Sequence, residues 1–316
     1  MQDWQIPDQR GRRIVVTGAG SGLGLVVTRE LAYRGAHVVM AARDVTKANR
    51  HRDALLDEHP PATIEVRPLD LLDLGSVREF AAAVAEPVDA LLNVAGIALA
   101  PLRHSAQGHE SHFATNHLGH FALTTLLLDA LARGHEPRVV TVSSELYRFA
   151  RLDLDRDDHL TGGPRYSASR AYWRSKLANV LFGLELDRRL RAAGSPVRSM
   201  LAHPGVARTP MNTGKTGGKP LNRVVEKLLV TTFARTAVEG AQPILYAATA
   251  PDLEGGSFLG PRTTFGPMRV AQVRVRGQAN DRRLAERLWA ESERLIGFDG
   301  PAISGPVAGP GSPTTH

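Results

Sequence analysis

Cysteine is absent from the 316 residues. That absence excludes disulfide frameworks, thiolate zinc sites, iron–sulfur clusters and cysteine nucleophiles. Aromatic residues are scarce, at 5%. Lysine is scarcer: there are five (Lys47, Lys176, Lys215, Lys219, Lys227), so 34 of the 39 basic side chains are arginine. The longest apolar stretch, residues 121–132, is broken by Thr124, Thr125 and Asp129. It falls short of the roughly 18 apolar residues that a membrane span needs. The opening MQDWQIPDQRGRR lacks the apolar core of a signal peptide. A soluble cytoplasmic protein with no membrane span is expected. The formal charge is +7, yet no run of five or more basic residues occurs. No basic stretch interleaves with aromatics, so nucleic acid is not expected as a partner.

What is present is ordinary globular composition, 42% hydrophobic and 22% charged. Apolar runs at 14–17, 37–41, 64–68, 89–94, 138–143, 197–202 and 257–259 read as strands. Amphipathic stretches near 22–34, 45–58, 76–84, 111–131, 168–193 and 236–248 read as helices between them. The alternation predicts an α/β fold: one Rossmann-type, doubly wound parallel sheet of about seven strands, with helices on both faces. The strands are apolar throughout, as expected when both faces are covered. Residues 1–298 read as one domain, with a polar insertion at 151–164 and a mobile loop and helix over about 210–230 that could cover a ligand crevice. The Gly/Pro/Ser-rich stretch 299–316 has little to bury and is expected to be a disordered tail.

The first strand runs into Thr17-Gly18-Ala19-Gly20-Ser21-Gly22-Leu23-Gly24 and then a helix. Glycines there permit a tight turn and close backbone approach. The helix N-terminus offers free N–H groups to a pyrophosphate. The spacing is Gly-x-x-x-Gly-x-Gly over Gly18, Gly22 and Gly24, and a simple tight turn is the alternative. The second strand ends Ala42-Arg43-Asp44. A cation at that tip suits the 2′-phosphate of NADP(H), and an acid suits the ribose of NAD(H). Arg43 therefore favours NADP(H), with Asp44 either a helix cap or a ribose ligand. Asp70 and Leu71, after the third strand, are placed to touch the adenine edge, with a turn role as the alternative for Asp70.

Tyr172 and Lys176 stand four apart inside a predicted helix and so share a face. A tyrosine with pKa near 10 is a poor acid–base catalyst until a nearby ammonium favours the phenolate. Ser144 ends the fifth strand at the same carboxyl edge as the glycine loop, where a hydroxyl can polarise a carbonyl. A strand-end cap is its plainer role. Asn116 lies within a predicted helix, where a kink, a water site or packing would account for it.

Taken together, TGAGSGLG, LLNVAG, TNHLGHF, VTVSS, YWRSK and HPGVART resemble the short-chain dehydrogenase/reductase family, and the flanking text its retinol dehydrogenase-like branch. The resemblance runs over about residues 6–297. It implies an oxidoreductase interconverting a ketone or aldehyde and an alcohol, on a lipophilic or bulky substrate. It implies Tyr172 as general acid/base, Lys176 as its pKa modulator and ribose anchor, Ser144 as carbonyl orienter, and Asn116 in a water-linked proton relay. It further implies that Asn93, Ala95 and Gly96 line the adenosine side. Pro204, Gly205, Val206 and Thr209 would meet the nicotinamide and pyrophosphate end. Residues 97–103, 145–147 and 210–230 would wall the substrate pocket. A homodimer or homotetramer also fits. The chain departs from the family pattern with Val94 in place of an asparagine, and with Gly20 where asparagine is common. A cofactor-binding sensor that keeps the fold without turnover is the rival reading; such a protein would more often lose the Tyr or Lys. His109-Glu110-Ser111-His112 superficially resembles a zinc protease helix but is one residue short, so no metal is expected.

Overall fold

The computed structural model describes residues 4–156, 160–205, 236–263 and 268–297. Val206, Thr209, the 210–230 segment and the 299–316 tail lie outside the described residues. The chain runs β1 (Arg13–Thr17), α1 (Gly22–Ala32), β2 (His37–Ala42), α2 (Val45–Glu58), β3 (Thr63–Pro68), α3 (Leu74–Ala82) and β4 (Ala90–Asn93). After a broken helical run come β5 (Arg138–Val142), α7 (Ala168–Ala192), β6 (Arg198–Ala202), α8 (Ala237–Thr249), β7 (Phe258–Pro261), β8 (Val270–Gln272) and α9 (Arg282–Ile296). The sheet order is β3-β2-β1-β4-β5-β6-β7-β8. From β1 the chain turns outward to β2 and β3, then crosses back to β4 on the other side. A crevice opens at that switch point, outside the carboxyl ends of β1 and β4.

Strand residues alternate between two apolar layers, as the pleat requires. Ile14, Val16, Val38, Met40, Leu92 and Met200 face one layer, with α1 and α8. Val15, Val39, Leu91, Val139 and Leu201 face the other, with α7 and α9. Arg138 is fully buried in β5, and its Nη1 donates to the Ala250 carbonyl at 2.6 Å, tying the strand's start to the end of α8. Among the described residues, no helix is long and apolar enough to cross a membrane.

The structure differs from the sequence expectation in three elements, the first being α9 (Arg282–Ile296), which was not among the expected helices. An eighth strand, β8, pairs antiparallel with β7 at the sheet edge. It is three residues long and buries only Val270, too little periodicity to register as a strand. The helix expected over 111–131 is divided. Ser111–Phe113 (α4) leads into a π-helical turn at Ala114–Leu118, then α5 (Gly119–Leu126) and α6 (Leu128–Ala132). The π turn contains Asn116, and such insertions mark functional sites more often than chance.

One aromatic cluster clamps α9 onto this run. Trp289, 2% exposed, meets Phe121 edge-on at 4.9 Å and stacks on Phe182 at 5.9 Å, with the Arg189 guanidinium 4.5 Å from its ring. Trp289→Ala is expected to cost about 3–5 kcal/mol of stability, read as a lower midpoint in denaturant unfolding.

Candidate active site

The glycine loop lies in the crevice. Gly18 has φ +66°, and a Cβ there would lie 2.9 Å from the Ala95 Cα. A Cβ at Gly24 would run into the Gly18 carbonyl. Both positions thus require glycine. Gly20 does not: a Cβ there meets the Ala48 Cβ at an ordinary 3.5 Å. Ser21 caps α1 by position, but its hydroxyl makes no cap hydrogen bond. The first turn of the helix is left with unanswered donors.

A cavity of about 360 Å³ follows the loop, lined by Gly18, Gly20, Ser21, Gly22, Leu23, Gly24, Arg43, Asp70, Leu71, Ala95 and Gly96. Asp44 also lines it, but its Oδ1 accepts the Lys47 N–H at 2.9 Å, so it serves as the cap of α2. Asp70 carries a turn, accepting from the Leu72 N–H at 3.0 Å, and still borders the cavity. Asn93 does not reach it. Its side chain is fully buried and donates to the Thr124 hydroxyl at 3.0 Å, bracing β4 against α5. Lys47 lines the same wall and was not singled out in the sequence. Its signal was available: Asp44 as cap puts Lys47 in the first turn, beside Arg43.

The second half of the site sits where β5 meets α7. The Lys176 Nζ donates to the Val142 carbonyl at 3.0 Å and lies 5.9 Å from the centroid of the Tyr172 ring. Asn179 donates to the same carbonyl at 3.1 Å. The Ser143 hydroxyl donates back to the Lys176 carbonyl at 2.8 Å. Ser144 accepts the Leu146 N–H at 3.3 Å, so it does cap the short 3₁₀ turn Glu145–Phe149. Burial raises the pKa of the Tyr172 phenol, and the nearby Ser144 hydroxyl offsets part of that rise. Burial pushes Lys176 down to about 8. Desolvation thus drives both groups toward neutrality.

Asn116 joins the two halves. Its amide accepts from the Ile97 N–H at 2.8 Å, donates to the Ile97 carbonyl at 3.0 Å, and donates to Ser175 Oγ at 2.9 Å. Ser175 in turn donates to the Tyr172 carbonyl at 2.8 Å. The Asn116 carbonyl lies 3.0 Å from His120 Nδ1. His120 Nε2 is 2.9 Å from the Thr17 hydroxyl, which also receives the Val94 and Ala95 N–H groups. Burial pushes His120 down to about 4 and His117 to about 3. No metal-holding group of three ligands occurs among the described residues.

A second brace was not legible in the sequence. The Glu110 carboxylate accepts from the N–H groups of His112 and Phe113 and lies 2.7 Å from His112 Nδ1. His112 Nε2 then accepts the Ala100 N–H at 3.2 Å, and the Tyr166 phenol donates to the Ala100 carbonyl at 2.9 Å. Between the braced Ile97 and the braced Ala100 lies Leu99, at φ +54°. Of the remaining positions, Pro204 and Gly205 follow β6 at the same edge.

Comparison with known proteins agrees with this geometry. A family model described as short chain dehydrogenase matches residues 12–219. Human retinol dehydrogenase 13 is 36% identical over 301 residues, covering 93% of this chain and 87% of that protein. A crystal structure of an uncharacterized protein from Mycobacterium paratuberculosis has a TM-score of 0.77 at 43% identity, over 94% of this chain and 97% of that one. A structure with bound NADP, described as an NAD(P)-dependent gluconate 5-dehydrogenase from Beutenbergia cavernae, has a TM-score of 0.61 at 26% identity, over 80% and 96%. The chain belongs to the short-chain dehydrogenase family, in its retinol dehydrogenase-like branch, and is an oxidoreductase acting on CH–OH groups.

The depressed Lys176 pKa carries a stability prediction. The folded value, about 8, lies below the unfolded value near 10.4. The buried ammonium therefore costs stability in full below pH 8, and the cost fades as pH rises from about 8 toward about 10. Wild type should gain stability relative to Lys176→Met across that window, read by denaturant unfolding of both proteins without added ligand.

Proposed function

We propose that the chain is an NADP(H)-dependent oxidoreductase that interconverts a ketone or aldehyde and an alcohol, with Tyr172 as general acid/base. The observation that carries this reading is the Lys176 Nζ 5.9 Å from the Tyr172 ring, one helical turn along α7, with Ser144 near enough to act on the phenol's pKa. The hydroxyl and the phenol can address one substrate oxygen together. Burial keeps the phenol protonated at neutral pH, so it enters carbonyl reduction as the acid. Tyr172 gives its proton to the developing alkoxide, and Ser144 donates a hydrogen bond to the same oxygen. Lys176 stabilises the phenolate that results. When bound, the nicotinamide supplies the hydride for reduction and accepts it in the reverse direction. Asn116 positions Tyr172 through Ser175, and is proposed to hold the water that returns the proton.

The cofactor fits the first cavity. Gly18, Gly22 and Gly24 line it at the start of α1, and the uncommitted Ser21 hydroxyl can bond a pyrophosphate there. Leu23, Asp70, Leu71, Ala95 and Gly96 would border the nucleoside. Gly96 is packed beneath Asn116 Oδ1 and Lys176 Nζ, and a Cβ there would lie 3.1 Å and 3.6 Å from them. Pro204, Gly205, Val206 and Thr209 are proposed at the nicotinamide end. The preference for NADP(H) rests on charge. Asp44 is committed to capping α2, while Arg43 and Lys47 face the cavity with no carboxylate partner among the described residues. The Beutenbergia cavernae structure carries NADP, in keeping with this preference.

A bulky apolar substrate body suits the surroundings of Ser144. Leu102, Leu146 and Phe149 are exposed at 38%, 39% and 58%, on the two segments that flank the site. The name of the human relative, a retinol dehydrogenase, points the same way.

Tyr172→Phe is expected to lower kcat/KM for carbonyl reduction by about 10²–10⁴-fold, followed by NADPH absorbance with a panel of aldehydes and ketones. Near-wild-type turnover would defeat the assignment. Arg43→Gln with Lys47→Gln should raise the KM for NADPH by roughly tenfold or more through lost charge-assisted bonds, and leave the KM for NADH little changed. An equal rise for both cofactors would count against NADP(H) preference.

A further inference from the structure

A second cavity, of about 220 Å³, opens at the carboxyl edge of β5, β6 and β7. Its lining begins at Glu145, the residue after Ser144, so it adjoins the proposed reacting site. The floor is aromatic: Phe258 lies 5.4 Å from His203 and 5.7 Å from Tyr147, ring to ring. Around it stand Arg148, Arg262, Arg274 and Arg276. Among the described lining residues the one carboxylate is Glu145, 2.8 Å from Arg148. Arg262, Arg274 and Arg276 have no carboxylate partner among the described residues.

Some exposed arginines pair off locally, Arg52 with Asp53, Arg282 with Glu286 and Arg294 with Glu291; others, such as Arg34, Arg50 and Arg283, are single and scattered. Here three arginines line one cavity with no carboxylate partner among the described residues, an arrangement that favours an anion between them. The backbone that carries two of them is fixed. Val273 N–H donates to the Phe258 carbonyl at 2.7 Å, and Arg276 N–H donates to the Tyr147 phenol at 3.1 Å.

His203 adds a second, independent sign. It is 5% exposed. Its Nδ1 accepts the Gly205 N–H at 3.3 Å, which places the proton on Nε2. Nε2 packs over Gly260, where any Cβ would collide with the ring, and has no hydrogen-bond partner among the described residues. Burial, with Arg148 nearby, pushes its pKa down to about 4. The ring is therefore a neutral donor on the cavity wall.

We propose that this cavity binds an anionic group of the substrate, a carboxylate or a phosphate, so that the substrate is an anionic carbonyl compound or its alcohol. The inference rests on Ser144 and Tyr172 being the reacting site. With the apolar rim, it points to an amphiphile whose charged end lies among the arginines.

The test pairs substrates that differ only in charge, using the full chain with NADPH. Azelaic semialdehyde against nonanal probes the carboxylate, and glyceraldehyde phosphate against glyceraldehyde probes the phosphate. In at least one pair the anionic member should have a kcat/KM about tenfold higher or more, and the advantage should shrink as salt rises from about 50 to about 500 mM. The triple variant Arg262→Gln, Arg274→Gln, Arg276→Gln should bring that ratio close to one, while Arg282→Gln leaves it in place. Thermal unfolding gives a readout without turnover: nonanoate or inorganic phosphate should raise the melting temperature of wild type more than that of the triple variant. Equal rates within both pairs overturn the proposal, as does a ratio that survives the triple variant. If no aldehyde is turned over, the melting shift decides: its presence keeps the anion site and removes the reading of Tyr172, and its absence removes both.

Discussion

The Val142 carbonyl, the last of β5, is the point on which the site depends. It accepts from the Lys176 ammonium and from Asn179, while Ser143 next to it donates to the backbone of Lys176. Strand and helix thus hold each other by reciprocal bonds in a buried layer, where such bonds are strong and hard to replace. The lock fixes the rotation of α7 about its axis. With the axis fixed, Tyr172 must face Ser144, since the two flank the lock by one turn and by one residue. The ammonium is costly to bury, and the carbonyl meets only part of the cost. The remainder is stored at the site, where a bound group rich in hydroxyls can recover it.

A second constraint acts on the loop after β4. Asn116 holds both backbone groups of Ile97, and His112 with Tyr166 holds both backbone groups of Ala100. Leu99 between them adopts a left-handed conformation that costs a leucine about 1–2 kcal/mol. Strain of this kind persists only where the surroundings over-determine it. Glu110 supports the outer brace by orienting His112, and as the cap of the short helix it belongs to the same run as Asn116. The π turn thus does more than bend a helix. It belongs to one segment that braces the loop at two places three residues apart and sets the Asn116 carbonyl beside His120.

The order of strands and the residues of the two half-sites were legible because each carries a local signal: a glycine cluster after a β-branched strand, a polar pair four apart, a serine at a strand end. What was not legible arises from tertiary packing. The π turn has no composition of its own, and TNHLGHF reads as continuous helix until Gly119 and Asn116 are seen against their neighbours. Asn93 sits in the motif expected to face the nucleoside, yet the pleat turns it inward to Thr124. The histidines invited a metal reading. Burial instead makes His117 and His120 neutral hydrogen-bonding groups, one on Ser292 and one on Thr17. Strand β8 was too short to show, and without it the arginines at 274 and 276 had no place near β7.

The net charge of +7 gains meaning from its distribution. Paired arginines cover most of the helical surface and contribute little field, because each is neutralised within a few ångströms. Five cations without a carboxylate partner among the described residues lie at the carboxyl edge of the sheet. Arg43 and Lys47 stand at one end, and Arg262, Arg274 and Arg276 at the other, with the Tyr172–Ser144 pair between them. Clefts lined by one sign of charge focus field lines and raise the local concentration of opposite charge. The concentration of these cations along one edge favours anions at both ends of the crevice, so that a phosphorylated cofactor and an anionic substrate would be drawn to the same edge and meet at the neutral phenol.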